Sequence, residues 1–293
     1  MIEITSSGIT LLQDSGRSGS QAVGVGKSGA WDDLNYQLVS KVLNEANPTV
    51  FEIIRGKLNL TTSDQISFVV VGDANCQVDG RNIGLNTLML ASPGSHLAIQ
   101  TLSDGPVYLG ITGLITSKVL GSSATDTLSG LGPSQVAAGD QFETLDPNLN
   151  RIGTFIQKTP KLDANVIRFV RGPHFQEIPS EIQVATVSRT GVRFLSDLKS
   201  TMKTIPSFPV FPGAIQLTPT GELIALGVDC GTTGGYPVVG VAIEADLPKL
   251  ARVKPNQKIS FREISSAMAG EISERLASEI SQSVINPANF GSW

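Results

Sequence analysis

The chain has 293 residues, of which 40% are hydrophobic and only 16% are charged, enough for one large or two ordinary domains. Its 22 basic and 26 acidic residues give a net charge of −4, and 5% of residues are aromatic, which argues against nucleic-acid binding. No basic amphipathic run occurs, and apolar runs such as 68–71 are too short to span a bilayer, so we expect no membrane association.

The cysteines and histidines are few and isolated. Cys76 and Cys230 lie far apart in the sequence, which favours buried thiols in a reducing compartment over a disulfide framework. The N-terminus has no secretory pattern, so we expect a cytoplasmic protein. Because His96 and His174 have no neighbouring ligand types, we expect no metal site.

The first part of the chain predicts short strands at 2–5 and 8–12, separated by Ser6-Ser7-Gly8. The stretch Gln13-Asp14-Ser15-Gly16-Arg17 follows. Arg17, flanked by glycines, suits recognition of an anion such as a carboxylate. Alternatively, Asp14 and Arg17 pair with each other and only fix the turn. The sequence leaves these two interpretations open.

A Gly-Lys-Ser triplet at 26–28 precedes the first predicted helix. It does not form a phosphate-binding loop, because that motif needs a glycine at position 21, where the chain has glutamine. Asp32 is typical of a helix N-terminus, and the apolar residues that follow recur at helical spacing through Leu43.

The region from 50 to 111 predicts a β-rich domain. Short apolar or alternating runs occur at 50–54, 58–61, 66–71, 76–78, 88–90, 96–101 and 107–111. Such spacing is typical of a barrel or sandwich. Glu52 interrupts an apolar run, and its carboxylate either faces solvent or points into a site. The segment 120–140 predicts a long loop, a feature that is often functional in a compact domain, and a domain boundary is expected near residue 160.

The second half repeats the β-rich pattern, with strands predicted at 166–170, 182–187, 192–195, 213–218, 222–228, 238–243 and 258–262. Arg189 and Arg193 flank a glycine. Gln216 suits amide recognition, although such a residue more commonly satisfies a neighbouring strand. After Phe261 an apolar stripe at helical spacing predicts a C-terminal helix, packed on the barrel or on a partner.

The stretch from Gly227 to Gly240 is rich in glycine and hydroxyl residues between two apolar runs. We expect positive φ at Gly234-Gly235, and Pro237 favours an extended Tyr236. With the hydroxyls of Thr232 and Thr233, such a loop can hold an anion or a carbonyl-bearing small molecule. The simpler alternative is a tight hairpin with a glycine bulge.

Seven blocks together resemble one known family. They are Gln13-Asp14-Ser15-Gly16-Arg17, Ser28-Gly29-Ala30-Trp31-Asp32, Val119-Leu120-Gly121-Ser122, Arg171-Gly172-Pro173, Ser188-Arg189-Thr190-Gly191-Val192-Arg193, Pro212-Gly213-Ala214-Ile215-Gln216 and Thr232-Thr233-Gly234-Gly235-Tyr236-Pro237. The chain resembles the allophanate hydrolase subunit 2 family, also called KipA or the C subunit of 5-oxoprolinase, which has biotin-dependent carboxyltransferase relatives. One departure is Ser123, where relatives usually carry an arginine.

The resemblance implies a mainly β fold of two cyclophilin-like β-barrel domains, at 1–160 and 161–293. It also implies a KipI-type partner, known as allophanate hydrolase subunit 1 or the B subunit of 5-oxoprolinase, and, for 5-oxoprolinase activity, a LamB/YcsF-type third component. The complex would act on a small amide or urea-like substrate and use ATP at the level of the complex, with no cofactor held tightly by this chain. Two alternatives are carboxyl transfer from carboxybiotin and a non-catalytic role opposing a KipI-type kinase inhibitor.

The candidate site residues, taken from the matching blocks and from residue chemistry, fall into two groups. The candidate catalytic residues are Asp14, Arg17, Asp32, Arg189 and Arg193. The candidate substrate-binding residues are Gly29, Ala30, Glu52, Gln216, Thr232, Thr233, Gly234, Gly235, Tyr236 and Pro237. The arginines would orient a carboxylate or stabilise an oxyanion, and the carboxylates would orient groups or transfer protons. We expect corners from both domains to converge around one shared hollow.

Overall fold

The computed structural model describes residues 1–199 and 205–290. Its first unit is a ten-stranded sheet. The strands are β1 (Ile2–Gln13), β2 (Val50–Thr62), β3 (Ile66–Val71), β4 (Ala74–Val78), β5 (Arg81–Ile83), β6 (Met89–Ala91), β7 (His96–Thr101), β8 (Val107–Ile111), β9 (Leu114–Ile115) and β10 (Gln141–Thr144). Side chains from β1–β4 and β6–β8 share one buried core, so the sheet curls around it.

The long strands β1 and β2 are irregular, and β2 pairs with different neighbours along its length. β2 pairs with β8 through its first residues and with β7 through its last ones, and the change falls at Gly56, whose φ is +94°. The predicted break at Ser6-Ser7-Gly8 is wrong, because β1 is continuous. Three register shifts between Ile4 and Thr10 absorb the irregularity as bulges, which bend a strand without ending it.

The second unit is a closed barrel of seven strands in the order β12-β19-β16-β17-β14-β13-β20. Its strands are β12 (Val166–Arg171), β13 (Glu181–Ser188), β14 (Gly191–Leu195), β16 (Ala214–Leu217), β17 (Leu223–Leu226), β19 (Val238–Ala242) and β20 (Lys258–Glu263). Short pairs lie outside it: β11 (Phe155–Ile156) with β21 (Val284–Ile285), and β15 (Phe208–Pro209) with β18 (Thr233–Gly234). The predicted mainly β fold is confirmed.

Helix α1 (Asp33–Leu43) covers one face of the first unit. The side chain of Asp32 accepts a hydrogen bond from the backbone N–H of Asn35, and Asn44 ends the helix with a φ of +61°. The apolar residues of α1 pack with those of β3 and β8 in one buried cluster. The predicted start and end of this helix therefore match the structure.

Two further helices lie near the C-terminus: α2 (Leu247–Leu250) and α3 (Ser266–Gln282). On α3, Ile272 packs against Ile243, and Ile280 joins the cluster around α1. The helix therefore packs on its own chain and contacts both units. None of the helices within 1–199 and 205–290 is long and apolar enough to cross a lipid bilayer.

Candidate functional site

The two units meet where the loop before α1 contacts two loops of the barrel. The backbone N–H of Ser28 donates to the carbonyl of Val228 at 3.1 Å. The guanidinium of Arg189 donates to the carbonyl of Gly29 at 2.7 Å. Three blocks that are remote in sequence, around residues 28, 189 and 228, are thereby brought together at one junction.

Arg189 is the centre of this junction. Its side chain is only 4% exposed. Nε and Nη2 donate to the two carboxylate oxygens of Asp229 at 2.8 and 2.9 Å, and Nη1 donates to Glu52 of the first unit. Two buried carboxylates therefore share one guanidinium.

Glu52 points into the junction rather than into solvent, which settles the alternatives left by the sequence. Its second oxygen accepts from the backbone N–H of Trp31 at 2.7 Å and from the hydroxyl of Tyr108 at 2.6 Å. Burial raises the pKa of Glu52, and the attraction of Arg189 offsets that shift only in part. Every carboxylate oxygen of Glu52 is therefore engaged within the chain.

Asp229 is a site residue that the sequence did not single out. Besides Arg189, it accepts from the hydroxyl of Ser28 at 2.7 Å and from the N–H and hydroxyl of Thr127 at 3.0 and 2.7 Å. Burial alone would raise its pKa, but Arg189 and these donors hold the pKa below its ordinary value. The sequence signal that could have identified Asp229 is that it is the single acidic residue in the glycine-rich stretch after Leu226.

Asp32 extends the network to Arg252. It caps the helix, and its second carboxylate oxygen accepts from Nε of Arg252, in the second unit, at 2.6 Å. Its backbone N–H donates to the hydroxyl of Tyr108 at 2.8 Å. One hydrogen-bonded path thus crosses between the units twice, through Asp229, Arg189, Glu52, Tyr108, Asp32 and Arg252.

Asp14 and Arg17 lie in the same loop but form no ion pair with each other in the described chain. Asp14 instead accepts from Gly16 N–H at 2.8 Å, from the Ser122 hydroxyl at 2.6 Å and from Ser123 N–H at 2.8 Å. The interpretation of a turn-fixing Asp14–Arg17 pair is therefore wrong, because neutral donors already satisfy the carboxylate.

The residues around Gly234 take a different shape from the predicted one. The prediction of a positive φ at Gly234 and Gly235 is wrong, because neither residue has a left-handed φ and Gly234 is extended within β18. A Cβ on Gly234 would lie 2.5 Å from Nε2 of Gln216, so a larger residue there would have to displace this buried amide. Gln216 is buried, and its amide reaches the carbonyl of Tyr236 at 3.5 Å.

The other candidate residues lie at different distances from the junction. Ala30 joins the Asp14 loop through its N–H, and Thr232 lines a recess of about 260 Å³ with Lys27. Arg193 pairs with Glu222 at 2.6 Å on a half-exposed face. A final group lies in β18 and in the turn between β18 and β19, and no hydrogen bond joins it to Arg189 within the described residues: Thr233, Gly235, Tyr236 and Pro237.

Comparison with known proteins identifies the family. Residues 23–263 match the family model described as "Carboxyltransferase domain, subdomain A and B". The chain belongs to the carboxyltransferase-domain family. This carboxyltransferase domain is 27% identical over 285 residues to the C subunit of 5-oxoprolinase from Escherichia coli, covering 90% of the chain and 92% of that relative. The corresponding protein of Haemophilus influenzae is also 27% identical, over 281 residues, with 89% and 90% covered.

Larger proteins contain a similar region. The carboxyltransferase domain is 27% identical over 316 residues to urea amidolyase of Saccharomyces cerevisiae, covering 93% of the chain but 17% of that protein. The crystal structure of the Kluyveromyces lactis urea amidolyase has the same fold, with a TM-score of 0.85 at 22% identity, and 100% of this chain matches 20% of that one. The chain therefore spans about a fifth of these multi-part proteins.

Most charged groups at the junction of this carboxyltransferase domain are already paired. Arg189, Glu52, Asp229 and Asp32 hold the two units together, and such buried pairs fix geometry more than they supply free acids or bases. Across 1–199 and 205–290, no group of three or more metal-ligating side chains could hold an ion. The side chains around Thr232 line a recess that a ligand can reach, whereas the guanidinium of Arg17 is fully buried.

Proposed function

We propose that this chain is a subunit of a 5-oxoprolinase-like or allophanate-hydrolase-like complex that acts on a small amide or urea-like compound. The observation that carries the proposal is the match to the C subunit of 5-oxoprolinase along nearly the full length of both chains. The gathering of separate sequence blocks at the Arg189 junction supports it, because a site built from both units needs that convergence.

ATP would be used elsewhere in such a complex. The triplet at 26–28 offers no cradle of free N–H groups for phosphate: the N–H of Ser28 donates to Val228, and its hydroxyl donates to Asp229. The carbonyl of Lys27 accepts from the N–H of Arg17. In this proposal ATP is used at the level of a cytoplasmic complex that contains a KipI-type partner and a LamB/YcsF-type component, and we assign no step of ATP chemistry to this triplet.

The role of the junction in this proposal is to hold the substrate-facing loops in register. Arg189 fixes the carbonyl of Gly29 and the carboxylate of Glu52 relative to the barrel, so the loops at 14–17 and 26–32 keep one position. Groups held this way bind a ligand with little loss of conformational freedom on binding. Thr232, on a neighbouring loop of the barrel, lines a recess together with Lys27 of the 26–32 loop and is placed to contact it.

Carboxyl transfer is the second candidate, favoured by the family description and by the urea amidolyase relatives. Carboxybiotin, delivered by a carrier outside this chain, would supply the carboxyl group. The recess of about 260 Å³ at the junction is mostly apolar, with Lys27, Gln21 and Thr232 on its walls, which suits a small ring with polar edges. A third candidate is a non-catalytic role opposing a KipI-type kinase inhibitor.

The test is reconstitution with the partner proteins and measurement of ATP hydrolysis with and without 5-oxoproline or urea. We expect 5-oxoproline to raise turnover only when this chain is present. Stimulation by urea together with a biotin carboxylase would favour carboxyl transfer. If the partner binds but neither compound raises turnover, the proposal of an enzyme subunit is wrong and the regulatory role stands.

A further inference from the structure

A polar recess of about 290 Å³ lies between the two units, and it shares no lining residue with the recess at Thr232. We call it the Arg252 recess. Polar side chains from both units line it: Asp73, Asn86 and Ser103 from the first, and Arg252 and Lys254 from the second. Because sites for small molecules begin at about 300 Å³, a recess of this size suits a small ligand.

The side of the recess that the first unit supplies is fixed by backbone hydrogen bonds. The carbonyl of Asp73, in the turn between β3 and β4, accepts from the N–H of Leu102 at 2.9 Å. Asn86 has a φ of +63°, and its N–H donates to Val70 at 2.9 Å while its carbonyl accepts from Ile156 at 2.8 Å. The fold therefore sets the positions from which these side chains enter the recess, and little order is lost on binding a ligand.

The polar side chains on this side have no hydrogen-bond or ion-pair partner among residues 1–199 and 205–290. They are the carboxylate of Asp73, which is exposed, and the amide of Asn86 and hydroxyl of Ser103, which are half-buried. An ionised carboxylate only accepts hydrogen bonds, whereas an amide and a hydroxyl both donate and accept. The first unit therefore offers one free negative charge and two adaptable neutral groups.

The second unit supplies two cations that retain free donors. Nε of Arg252 donates to Asp32 at 2.6 Å, and Nη2 donates to Oδ1 of Asn35 at 3.2 Å. A guanidinium has more N–H groups than these two bonds use, and the Arg252 side chain is 26% exposed. Nζ of Lys254 lies 3.6 Å from Oδ2 of Asp104, which is too long for a hydrogen bond. Both side chains can therefore donate to a ligand.

The free groups on the two sides have opposite charges. A simple anion would be attracted by Arg252 and Lys254 but repelled by Asp73, and a simple cation would meet the reverse. A molecule that carries one group of each sign satisfies both sides at once. The planar fork of arginine suits a carboxylate, and the carboxylate of Asp73 suits an ammonium group.

We propose that the Arg252 recess binds a small amino acid in its zwitterionic form. The ligand's carboxylate accepts from Arg252 and Lys254, and its ammonium group donates to Asp73. Asn86 and Ser103 complete the hydrogen bonds of the bound molecule. This assignment does not depend on the proposed function, because it uses a separate recess and concerns binding alone.

The experiment measures saturable binding to the full chain at low salt by ligand-observed NMR saturation transfer. Three probes share a four-carbon chain and differ in charge. 4-Aminobutyrate has both groups, butyrate has only the carboxylate, and butylamine has only the ammonium group. We expect 4-aminobutyrate to bind at least about tenfold more tightly than either of the others, because each of them lacks one charge-assisted hydrogen bond.

Two variants connect the binding to the recess. Asp73→Asn should weaken 4-aminobutyrate by about tenfold and leave butyrate no weaker, since only the ammonium group uses Asp73. Lys254→Met should weaken 4-aminobutyrate and butyrate but leave butylamine no weaker. The side chain of Lys254 is 54% exposed and Asp73 is exposed, so both variants should fold. Lys258→Met, which removes a 73% exposed lysine of β20, is the control and should bind all probes as the parent does.

Three results would overturn the assignment. The first is the absence of saturable 4-aminobutyrate binding to the parent chain. The second is binding of butyrate or butylamine as tight as that of 4-aminobutyrate, which would mean that the recess does not use both charges. The third is an affinity for 4-aminobutyrate that either Asp73→Asn or Lys254→Met leaves unchanged, or that Lys258→Met lowers equally.

Discussion

Replacing Arg189 by methionine tests whether the junction holds the two units together. The substitution keeps the side chain's length but removes the cation shared by Glu52 and Asp229, whose side chains are 0% exposed. Breaking a buried pair by removing one partner costs about 3–5 kcal/mol, because the opposite charges are left buried and uncompensated. Arg189→Met removes the cation from both carboxylates, so we expect a loss of unfolding free energy within that range.

The matched control is Arg193→Met, four residues away on the same hairpin. Arg193 pairs with Glu222, but its side chain is 50% exposed, and exposed pairs contribute at most about 1 kcal/mol. The assay is equilibrium unfolding in guanidinium chloride, followed by circular dichroism. Equal losses of unfolding free energy in the two variants would refute the view that Arg189 is the electrostatic centre of the junction.

Two further predictions concern the same region. Burial raises the pKa of Glu52 in the folded state above its value in the unfolded chain, 4.5. As pH rises above 4.5, ionisation of Glu52 therefore lowers the free energy of unfolding. Glu52→Gln removes this titration, so the loss of stability above pH 4.5 should be smaller in the variant. Arg189 lowers the pKa of Asp229 against the effect of burial. The contribution of Asp229 to the free energy of unfolding is therefore present at neutral pH and lost on acidification. Asp229→Asn should accordingly be least stable relative to the parent near pH 7. Unfolding curves from pH 3 to 8 check both signs, and parallel profiles for the two variants would contradict them. A third prediction concerns packing: Gly234→Ala should lower the free energy of unfolding by about 1–3 kcal/mol, because its Cβ would meet the amide of Gln216. Gly235→Ala is the control and should cost little, because the atom nearest to its Cβ is 3.5 Å away. Equal thermal stability of the two variants would count against the packing argument.

The parts of the fold that depend on local periodicity could be predicted from the sequence. Alternating apolar residues indicated most long strands, and Asp32 with helical spacing to Leu43 indicated α1, because these signals are carried by neighbouring residues. The continuity of β1 could not be predicted, since its bulges arise from pairing with a strand about fifty residues further on.

The site could be predicted only as a set of candidates. Arg189 and Glu52 were both singled out, yet nothing local indicates that they pair across 137 positions. Asp229 was missed, because a single acidic residue in a glycine-rich stretch has no partner visible in the sequence. Gly234 was recognised as special for the wrong reason, since the space taken by Gln216 is a property of the packed barrel.

The central claim is that segments from both units build one ligand site at their junction. Hydrogen–deuterium exchange of the reconstituted complex, with and without 5-oxoproline, tests this most directly. The account predicts that substrate slows amide exchange together in 14–30, 122–132 and 226–234, the segments that meet around Arg17 and Arg189. Protection confined to one unit, or located only along α1 and α3, would contradict it.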